Sequence, residues 1–481
     1  MPKPVSVAPA SPDRPNIVFV LTDDLAPNLL RYMPHVQALE RAGMTFTNYT
    51  VTDSLCCPSR ASIFTGNFPH TTKIVTNHGR YGGFQLFHDL GEEAHTFAPV
   101  VQARGYRTAL MGKYLNNYHA SFPAPSALGD WTPPQSTFIP PGWSEWDGVG
   151  YGYPQYNYTL NHDHRVELHG RAPNDYLNTV LQDYGLKFIS DSAEQKAPFL
   201  LEIASFSPHT PSTPAPQDVH KFADVTAPRT AAFNRLPEHP PAWLRDRPRL
   251  TRAELDLINA QFRQRVRSVQ SVDRMIGALE QRLRATGQAD NTVFVFSSDN
   301  GYHMGEYRLL PGKFTAFDTD IRVPLIVVGP GIRPGSVDNH VVENIDLAPT
   351  FEQLAGAVPP DTVEGRSLVP LLHGESPTWR TLALVEHHGP DTARDDPDRQ
   401  NTLSGNPPSY EAIRTPQFTY VRYETGDTEY YDLATDPNEL DNLAPTLSRS
   451  RRVQLDTWLD ALHTCRGGAQ CWQAGRPSLQ G

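Results

Sequence analysis

Short apolar runs separated by helical stretches constrain the fold of this chain more than any other feature of its sequence. Five runs are rich in Val, Ile, Leu and Phe and show no polar alternation, which predicts strands that are buried on both faces of a parallel sheet. These runs are 16–21, 107–111, 199–206, 292–296 and 324–328. Strands that alternate with helices predict an α/β sandwich with a mostly parallel central sheet.

One long helix and two long loops are predicted within this α/β region. Apolar residues recur at helical spacing over 252–285, and Thr251 and Glu254 form a capping box before them. Residues 121–142 and 207–250 are rich in proline and poor in periodic apolar positions, which predicts ordered loops.

The pattern changes after about residue 375. Residues 411–443 contain short β-rich runs divided by turn signals, which predicts an antiparallel meander, and a helix is expected near 447–463. We therefore divide the chain into a disordered N-terminal segment (1–14), an α/β domain (15–375) and a smaller C-terminal α+β subdomain with an antiparallel sheet (376–481).

Charge and composition exclude several classes of partner. The net charge is −11 and no basic run occurs, which argues against a nucleic-acid partner. An anionic substrate would have to be attracted by a few local cations or by a metal. No apolar stretch approaches membrane-spanning length. The first fifteen residues lack a hydrophobic core and do not form a signal peptide.

Two of the four cysteines, Cys465 and Cys471, lie close together near the end of the chain. They are interpreted either as a short disulfide loop or as two free surface thiols. A disulfide is typical of exported proteins, which favours an extracytoplasmic or secreted location over the cytoplasm.

Polar residues with catalytic potential end or follow four of the buried runs. Ligands bind outside the carboxyl ends of the strands in open α/β sheets, so these residues are expected to meet at one edge. Singly, each has an ordinary explanation: an aspartate caps a helix, a histidine is structural and a lysine is solvated. The residues concerned are Asp23, Asp24, Lys113, His209, Asp299, Asn300 and His303.

Four of these residues form an oxygen-only set that predicts a metal site. Asp23, Asp24, Asp299 and Asn300 offer carboxylate and amide oxygens, without imidazole or thiolate. Such a set suits Ca²⁺, with Mg²⁺ as the second choice, better than it suits zinc.

The stretch "SLCCPSRASIFTG" at 54–66 places two cysteines side by side at a predicted helix start. Pro58 suits a first helical turn, and the helix N-terminus together with Arg60 would favour an anion there. A reactive thiolate is one interpretation. Zinc binding is another, although no second cysteine pair has ligand spacing.

This stretch resembles the signature of the formylglycine-dependent (type I) sulfatases of the alkaline phosphatase superfamily. The matching residues are Cys56, Pro58, Ser59, Arg60, Thr65 and Gly66. The segments "PNIVFVLTDD", "GYRTALMGKYLNNY", "SDNGYHMGE" and "IRVPLIVVGPGI" also resemble sulfatase segments, and they occur in the family's order. The resemblance implies an alkaline-phosphatase-like α/β domain, here 15–375, followed by a smaller C-terminal piece.

The resemblance also implies roles for individual residues. In the family, a formylglycine-generating enzyme oxidises the signature cysteine, here Cys56, to an aldehyde whose hydrate attacks sulfur and then expels sulfate. Arg60, Lys113 and Lys313 would stabilise charge on the sulfuryl oxygens, together with a metal that Cys56 would also help to hold. His209, with Lys313 as a second candidate, would protonate the leaving alcohol.

Substrate contacts are expected from Asn116 and His303, although a structural role for His303 is an equal alternative. Within the family, the segments "GKYLNNY", "PPGW" and "YNYTL" are most similar to those of N-acetylglucosamine-6-sulfatases. Leu115 also resembles that group, since many other sulfatases have a histidine at this position. The loop "VTNHGRYGGF" (75–84) is expected to face the substrate but lacks the Asn-Cys-Ser of the glucosamine enzymes. The aromatic run 142–158 is expected to pack within a loop or to stack on sugars.

The predicted activity is hydrolysis of a sulfate ester, from a sulfated carbohydrate of the N-acetylglucosamine-6-O-sulfate kind or from an aryl sulfate. One alternative is a phosphonate monoester hydrolase or phosphodiesterase on the same fold, since some phosphonate hydrolases share the signature. An alternative of another class is an inactive protein that binds sulfated glycans, which the complete set of acids, arginine and lysines argues against.

Overall fold

The computed structural model of the chain describes residues 14–118, 137–391, 396, 398–400 and 402–477. The N-terminal segment that we predicted to be disordered lies outside these residues, apart from Arg14. Most of the first predicted loop, 121–136, lies outside them as well.

A ten-stranded sheet forms the centre of the molecule, in the order β10-β2-β9-β8-β1-β7-β3-β4-β5-β6. Its five innermost parallel strands are β8, β1, β7, β3 and β4. The strands are β1 (Asn16–Thr22), β2 (Met44–Thr50), β3 (Arg107–Lys113), β4 (Glu145–Val149), β5 (Tyr158–His162), β6 (Arg165–His169), β7 (Phe199–Ala204), β8 (Thr292–Ser298), β9 (Leu325–Val328) and β10 (Ser336–Glu343).

The described helices are mostly short, and the longest matches the predicted one. They are α1 (Pro34–Ala42), α2 (Cys56–Thr65), α3 (Pro69–Thr72), α4 (Gly83–Asp89), α5 (Phe97–Ala103), α6 (Leu177–Glu194), α7 (Ala242–Arg245), α8 (Arg252–Ala285), α9 (Asp318–Ile321), α10 (Leu347–Leu354), α11 (Val369–Leu372), α12 (Arg449–Thr464) and α13 (Gly467–Ala474). Helix α8 begins at the predicted capping box, in which Thr251 and Glu254 each bond the other's backbone N–H.

Strand β1 shows why the apolar runs have no polar alternation. Ile17, Phe19 and Leu21 enter one hydrophobic core, which also contains residues of α2, α5 and α10. Val18 and Val20 enter the core on the opposite face, with α6 and α8. Since successive side chains of a strand point to opposite faces, a sheet that is covered on both sides requires apolar residues at every position.

The prediction that 324–328 forms a parallel strand is wrong. Strand β9 occupies this run but pairs antiparallel with both of its neighbours, β8 and β2. A parallel connection usually contains a crossover helix. The segment between β8 and β9 contains only the four-residue helix α9, and it returns the chain beside the strand it has just left.

A separate four-stranded antiparallel sheet confirms the predicted C-terminal meander. Its order is β11 (Ala383–His387), β12 (Tyr410–Arg414), β13 (Phe418–Tyr423) and β14 (Thr428–Asp432), and α12 packs against it. The division of the chain at residue 375 stays a prediction.

Two further expectations can be compared with the described residues. Cys465 and Cys471 form a disulfide between the end of α12 and α13. The loop 207–250 contains only α7 and one short 3-10 turn. Among the described helices, none combines the length and the apolar character needed to cross a membrane.

Candidate active site

The ends of three parallel strands of the central sheet bring four of the predicted polar residues together. Asp23 and Asp24 follow β1, Lys113 ends β3 and Asp299 follows β8, and all four are buried. Asp24 has a φ of 66°, a backbone conformation that is unfavourable for residues other than glycine and is found at functional sites. A buried arginine, Arg265, bonds the Asp24 carbonyl and fixes this turn.

Helix α2 enters the same edge with its N-terminus first. Leu55 is its N-cap residue, Pro58 lies in its first turn, and Gly66 closes it with a φ of 70°. All ten helical residues are buried. The sequence therefore builds a helix without a solvent-facing side, and its first residue, Cys56, lies among the strand ends.

The Cys56 thiol lies at the meeting point of the predicted site residues. Its Sγ is 3.2 Å from Asp23 Oδ1, 3.4 Å from Asn300 Oδ1 and 3.0 Å from Lys313 Nζ. Burial and the carboxylates of Asp23 and Asp299 raise the pKa of the Cys56 thiol well above its usual range. The unmodified thiol is therefore protonated at neutral pH and is a poor nucleophile.

Three cations each hold one of the acids at this centre. Lys113 Nζ lies 2.7 Å from Asp23 Oδ2, and Arg60 Nε lies 2.8 Å from Asp299 Oδ2. Lys313 Nζ lies 2.7 Å from Asp24 Oδ1. Burial alone would lower the pKa of both lysines, but the carboxylates raise it well above the usual range. Both lysines are thus fully charged and can stabilise an anionic group.

The oxygen atoms around Cys56 fit a hard divalent cation. The ligand atoms of Asp23, Asp24, Cys56 and Asp299 all lie within 4.8 Å of one another. Asn300 Oδ1 points toward Cys56 and adds an amide oxygen. Ca²⁺ and Mg²⁺ prefer carboxylate and amide oxygens, whereas zinc is usually held by nitrogen and sulfur.

His209 stands beside this centre with both ring nitrogens bonded. Its Nδ1 donates to the Thr210 carbonyl at 2.6 Å, and its Nε2 donates to Asp398 and lies 3.8 Å from Asp24 Oδ2. Burial alone would lower its pKa, but Asp398 and Asp24 raise the pKa of His209 to about 9. The ring is therefore an imidazolium at neutral pH and can act as an acid.

Asp398 is a site residue that the sequence analysis missed. It accepts hydrogen bonds from Lys313 (2.7 Å), Asn77 (2.7 Å) and Asn116 (3.2 Å), as well as from His209. It lies in the loop between β11 and β12, which is far along the chain from every strand of the central sheet. The pattern of acids after buried strands therefore gave no signal for it, and no motif marks it.

The two predicted substrate-contact residues lie in different surroundings. Asn116 joins the Asp398 network, and none of the described residues forms a hydrogen bond with its Oδ1. His303 bonds Asp320 at 2.9 Å through Nδ1 and the Ser404 carbonyl at 3.0 Å through Nε2. A contact between His303 and substrate would have to replace one of these bonds.

A buried cysteine, a cluster of oxygen ligands and buried cations meet at one edge of this α/β sheet, as is expected for a sulfuric ester hydrolase of the alkaline-phosphatase-like fold. The chain belongs to the sulfatase family, whose model matches residues 15–357. A second model, for the C-terminal region of N-sulphoglucosamine sulphohydrolase, matches 305–461.

Curated relatives are similar over most of the chain. N-acetylglucosamine-6-sulfatase of Homo sapiens is 34% identical over 94% of this chain and 85% of the relative. The extracellular sulfatase SULF-1 homolog of Drosophila melanogaster is 34% identical over 78% of this chain and 33% of the relative. Arylsulfatase of Volvox carteri is 29% identical over 96% of this chain and 76% of the relative.

Solved structures confirm the predicted fold class. One described as BT4656 with its substrate D-glucosamine-2-N,6-O-disulfate has a TM-score of 0.75 at 22% identity, covering 93% of this chain and 97% of that chain. The phosphonate monoester hydrolase of Silicibacter pomeroyi has a TM-score of 0.68 at 22% identity, covering 92% and 93%.

Proposed function

We propose that this sulfatase removes the 6-O-sulfate of N-acetylglucosamine-like sugars, using residue 56 as formylglycine and a bound Ca²⁺. The observation that carries the chemistry is the position of Cys56 Sγ, within 3.4 Å of Asp23, Asn300 and Lys313. The substrate follows from the similarity to N-acetylglucosamine-6-sulfatase along 94% of the chain.

Two groups would complete the site. Formylglycine supplies a hydrated aldehyde, and one of its hydroxyl groups is the nucleophile toward sulfur. Ca²⁺, or Mg²⁺ as the second choice, supplies positive charge that stabilises the sulfuryl oxygens. Asp23, Asp24, Asp299 and Asn300 would hold the ion beside residue 56, and their oxygen atoms favour it over zinc.

The remaining charged side chains bind and orient the ester. Lys113, Lys313 and Arg60 are buried and charged, so they stabilise negative charge on the transferring group where water cannot screen it. Arg60 Nη2 has no hydrogen-bond partner in the part of the chain that the structure describes, and it is available to a sulfuryl oxygen.

Departure of a sugar alcohol requires a proton. His209 keeps a proton on Nε2 because its pKa is raised to about 9, and donation of this proton to the alcohol would have to replace the Nε2 bond to Asp398. Asp398 orients the ring and is the positioning residue for it. Lys313, which contacts the same Asp398 oxygen at 2.7 Å, is the second candidate for the acid. A sugar alkoxide is a poor leaving group, so this proton matters more for sugars than for aryl esters.

Export is part of the proposal. The disulfide between Cys465 and Cys471 forms in oxidising compartments. A formylglycine-generating enzyme would act on Cys56 during biosynthesis. Expression with and without this enzyme, followed by peptide mass spectrometry across residue 56, measures how much of the nucleophile is formed.

Sulfate release from N-acetylglucosamine-6-sulfate tests the substrate. We expect turnover of this sugar in preference to galactose-6-sulfate and choline sulfate, and turnover of an aryl sulfate because its leaving group needs no sugar contacts. Hydrolysis of the aryl ester alone would contradict the glucosamine assignment. Faster turnover of an aryl phosphate or a phosphonate monoester would contradict the sulfatase preference itself.

A further inference from the structure

A cavity of about 240 Å³ lies beside the catalytic centre. Lys113, Tyr153 and Phe206 are among its lining residues. The Tyr153 ring lies 4.4 Å from the His209 ring and 5.2 Å from Lys113 Nζ. Because Lys113 and His209 both belong to the centre, the cavity is placed to receive the alcohol part of the ester.

Two residues that line this cavity each carry one buried oxygen atom that has no hydrogen-bond partner among the described residues. The two atoms are Oδ2 of Asp396, whose side chain is 2% exposed, and Oδ1 of Asn116, which is 7% exposed. The second polar atom of each side chain is held by a hydrogen bond. Asp396 Oδ1 accepts a bond from the Asp398 N–H at 2.8 Å, and Asn116 Nδ2 donates a bond to the Asp398 side chain. Unpaired buried acceptors are unfavourable, so this lining favours a ligand that carries O–H or N–H donors.

His78 adds a third polar group to the same lining. Its Nε2 lies 3.4 Å from Asp396 Oδ2 and 3.8 Å from Asp391 Oδ1 without forming a hydrogen bond. Two acidic side chains face one imidazole. Burial and Asp398 raise the pKa of Asp396 to about 6, so this carboxyl is mostly ionised at neutral pH. A second anionic substituent on the ligand would be repelled here.

The loop that carries His78 is held rigidly. Its two ends are joined by a bond from the Gly83 N–H to the Thr76 carbonyl at 3.2 Å. A side chain at Gly82 would place its Cβ 1.7 Å from that carbonyl, so only glycine permits this approach. Asn77 ties the loop to α2 by accepting the Cys57 N–H at 3.0 Å. Asn77 and His78 of this loop line the cavity.

We propose that Asp396, Asn116 and His78 form a subsite for the hydroxyl groups of one sugar ring that carries no second anionic group. The inference rests on the proposed function and deepens it, because it assigns the side chains that select the sugar. The cavity is smaller than the roughly 300–1,000 Å³ of clefts for drug-sized ligands, so it accommodates one ring and favours a terminal sugar over the interior of a chain. Tyr151, which is 55% exposed at the cavity, is available to cover that ring.

The test compares N-acetylglucosamine-6-sulfate with an aryl sulfate in the variants Asp396→Asn and His78→Ala. We expect the ratio of kcat/KM for the sugar to kcat/KM for the aryl ester to fall roughly 10- to 100-fold in Asp396→Asn, as for a lost hydrogen bond to a charged group. Removal of one exposed charge from α6, by Asp183→Asn, should leave this ratio at the wild-type value. Melting temperatures measured in parallel identify any variant that fails to fold.

A second comparison tests the charge of the subsite. The wild type should prefer N-acetylglucosamine-6-sulfate over D-glucosamine-2-N,6-O-disulfate, and Asp396→Asn should narrow this preference. An unchanged ratio in folded Asp396→Asn would overturn the inference and leave the proposed function standing. Hydrolysis of galactose-6-sulfate but not of the glucosamine ester, with the same dependence on Asp396, would overturn the proposed substrate and support the subsite. If no sugar sulfate reacts, both are wrong.

Discussion

Neighbouring cysteines at the start of α2 have opposite surroundings. Successive helical residues point about 100° apart. Cys56 faces Asp23, Asn300 and Lys313, whereas Cys57 belongs to the hydrophobic core beside α2. The side of α2 that carries Cys56 is polar, and the side that carries Cys57 packs against apolar residues.

Substitutions at these two positions should therefore differ in kind. Cys56→Ala should reduce turnover of an aryl sulfate on the order of 10⁴-fold or more, since the nucleophile cannot form. Cys57→Ser should keep substantial turnover but lose about 1–3 kcal/mol of the free energy of unfolding, because a hydroxyl is buried among apolar groups. Initial rates per folded molecule and denaturant titrations measure both effects. An active Cys56→Ala variant beside an inactive, folded Cys57→Ser variant would show that the nucleophile was assigned to the wrong residue.

The pH dependence of sugar-sulfate turnover should report the proton on His209. A raised pKa means that the folded enzyme keeps this proton up to about pH 9, so kcat/KM should fall as pH rises through that value. Asp398→Asn removes the largest cause of the increase and should move this decline to lower pH. An aryl sulfate, which needs less help from an acid, is the control. A decline at the same pH in wild type and Asp398→Asn would contradict this role.

The sequence predicts some helices and strands of this fold more completely than others. Helix α8 was predicted to its ends, because its apolar period and its capping box are both local signals. The apolar run of β9 predicted burial correctly but not direction, since burial on both faces is the same for parallel and antiparallel neighbours. Strand β6 was missed, because its side chains are mostly exposed or half-buried and it has no apolar run.

One ionic cluster joins elements that are distant in the chain. Glu386 on β11 accepts a bond from His70 of α3 and another from His463 of α12, each at 2.8 Å. Burial would raise the pKa of Glu386, but these two bonds lower it to about 2. The pKa of His463 is raised, mainly by its bond to Glu386. The cluster thus ties the C-terminal sheet to α3, which follows the signature helix.

Stability should depend on pH through His463. A raised pKa in the folded state gives stabilisation that is complete below the unfolded value of about 6.5 and lost as pH rises through the folded value. His463→Gln should therefore lower the Tm more at pH 5.5 than at pH 9. The exposed His373, outside the cluster, provides the control variant His373→Gln, for which no such pH dependence is expected. Equal losses of Tm at both pH values for His463→Gln would contradict the interpretation.

At the scale of the whole molecule, the site is shared between the two sheets. The central sheet brings together the acids, the lysine and the histidine that follow buried parallel strands, which sequence reasoning could therefore find. Cys56, Arg60 and Lys313 lie outside the strands, and their roles were predicted from the resemblance to the sulfatase segments. The loop from the second sheet provides Asp398, which bonds His209, and Asp396, which lines the adjacent cavity. No local sequence pattern predicts contacts between residues so far apart in the chain. The sequence thus predicts the part of the site that topology determines, and it misses the part that depends on how a loop folds back.

Metal binding should stabilise the whole chain, since its expected ligands come from the ends of β1 and β8. Chelation should lower the Tm, and added Ca²⁺ should restore it. At a free Ca²⁺ concentration of a hundred times Kd, binding should add about 2.7 kcal/mol to the free energy of unfolding. Asp299→Asn should weaken this response, whereas Asp338→Asn on β10, away from the site, should not. Calorimetry with EGTA and elemental analysis measure the effect. Stoichiometric zinc at this site would contradict the assignment.

The complete burial of α2 has a consequence for how active molecules arise. Cys56 and Arg60 have no exposed surface, so no modifying enzyme can reach them once the chain has folded. If Cys56 is oxidised as proposed, oxidation and folding compete, and each molecule keeps the outcome permanently. A purified sample would then be a mixture of two populations of the same fold, and its specific activity would depend on the history of its synthesis as well as on the chemistry of its site.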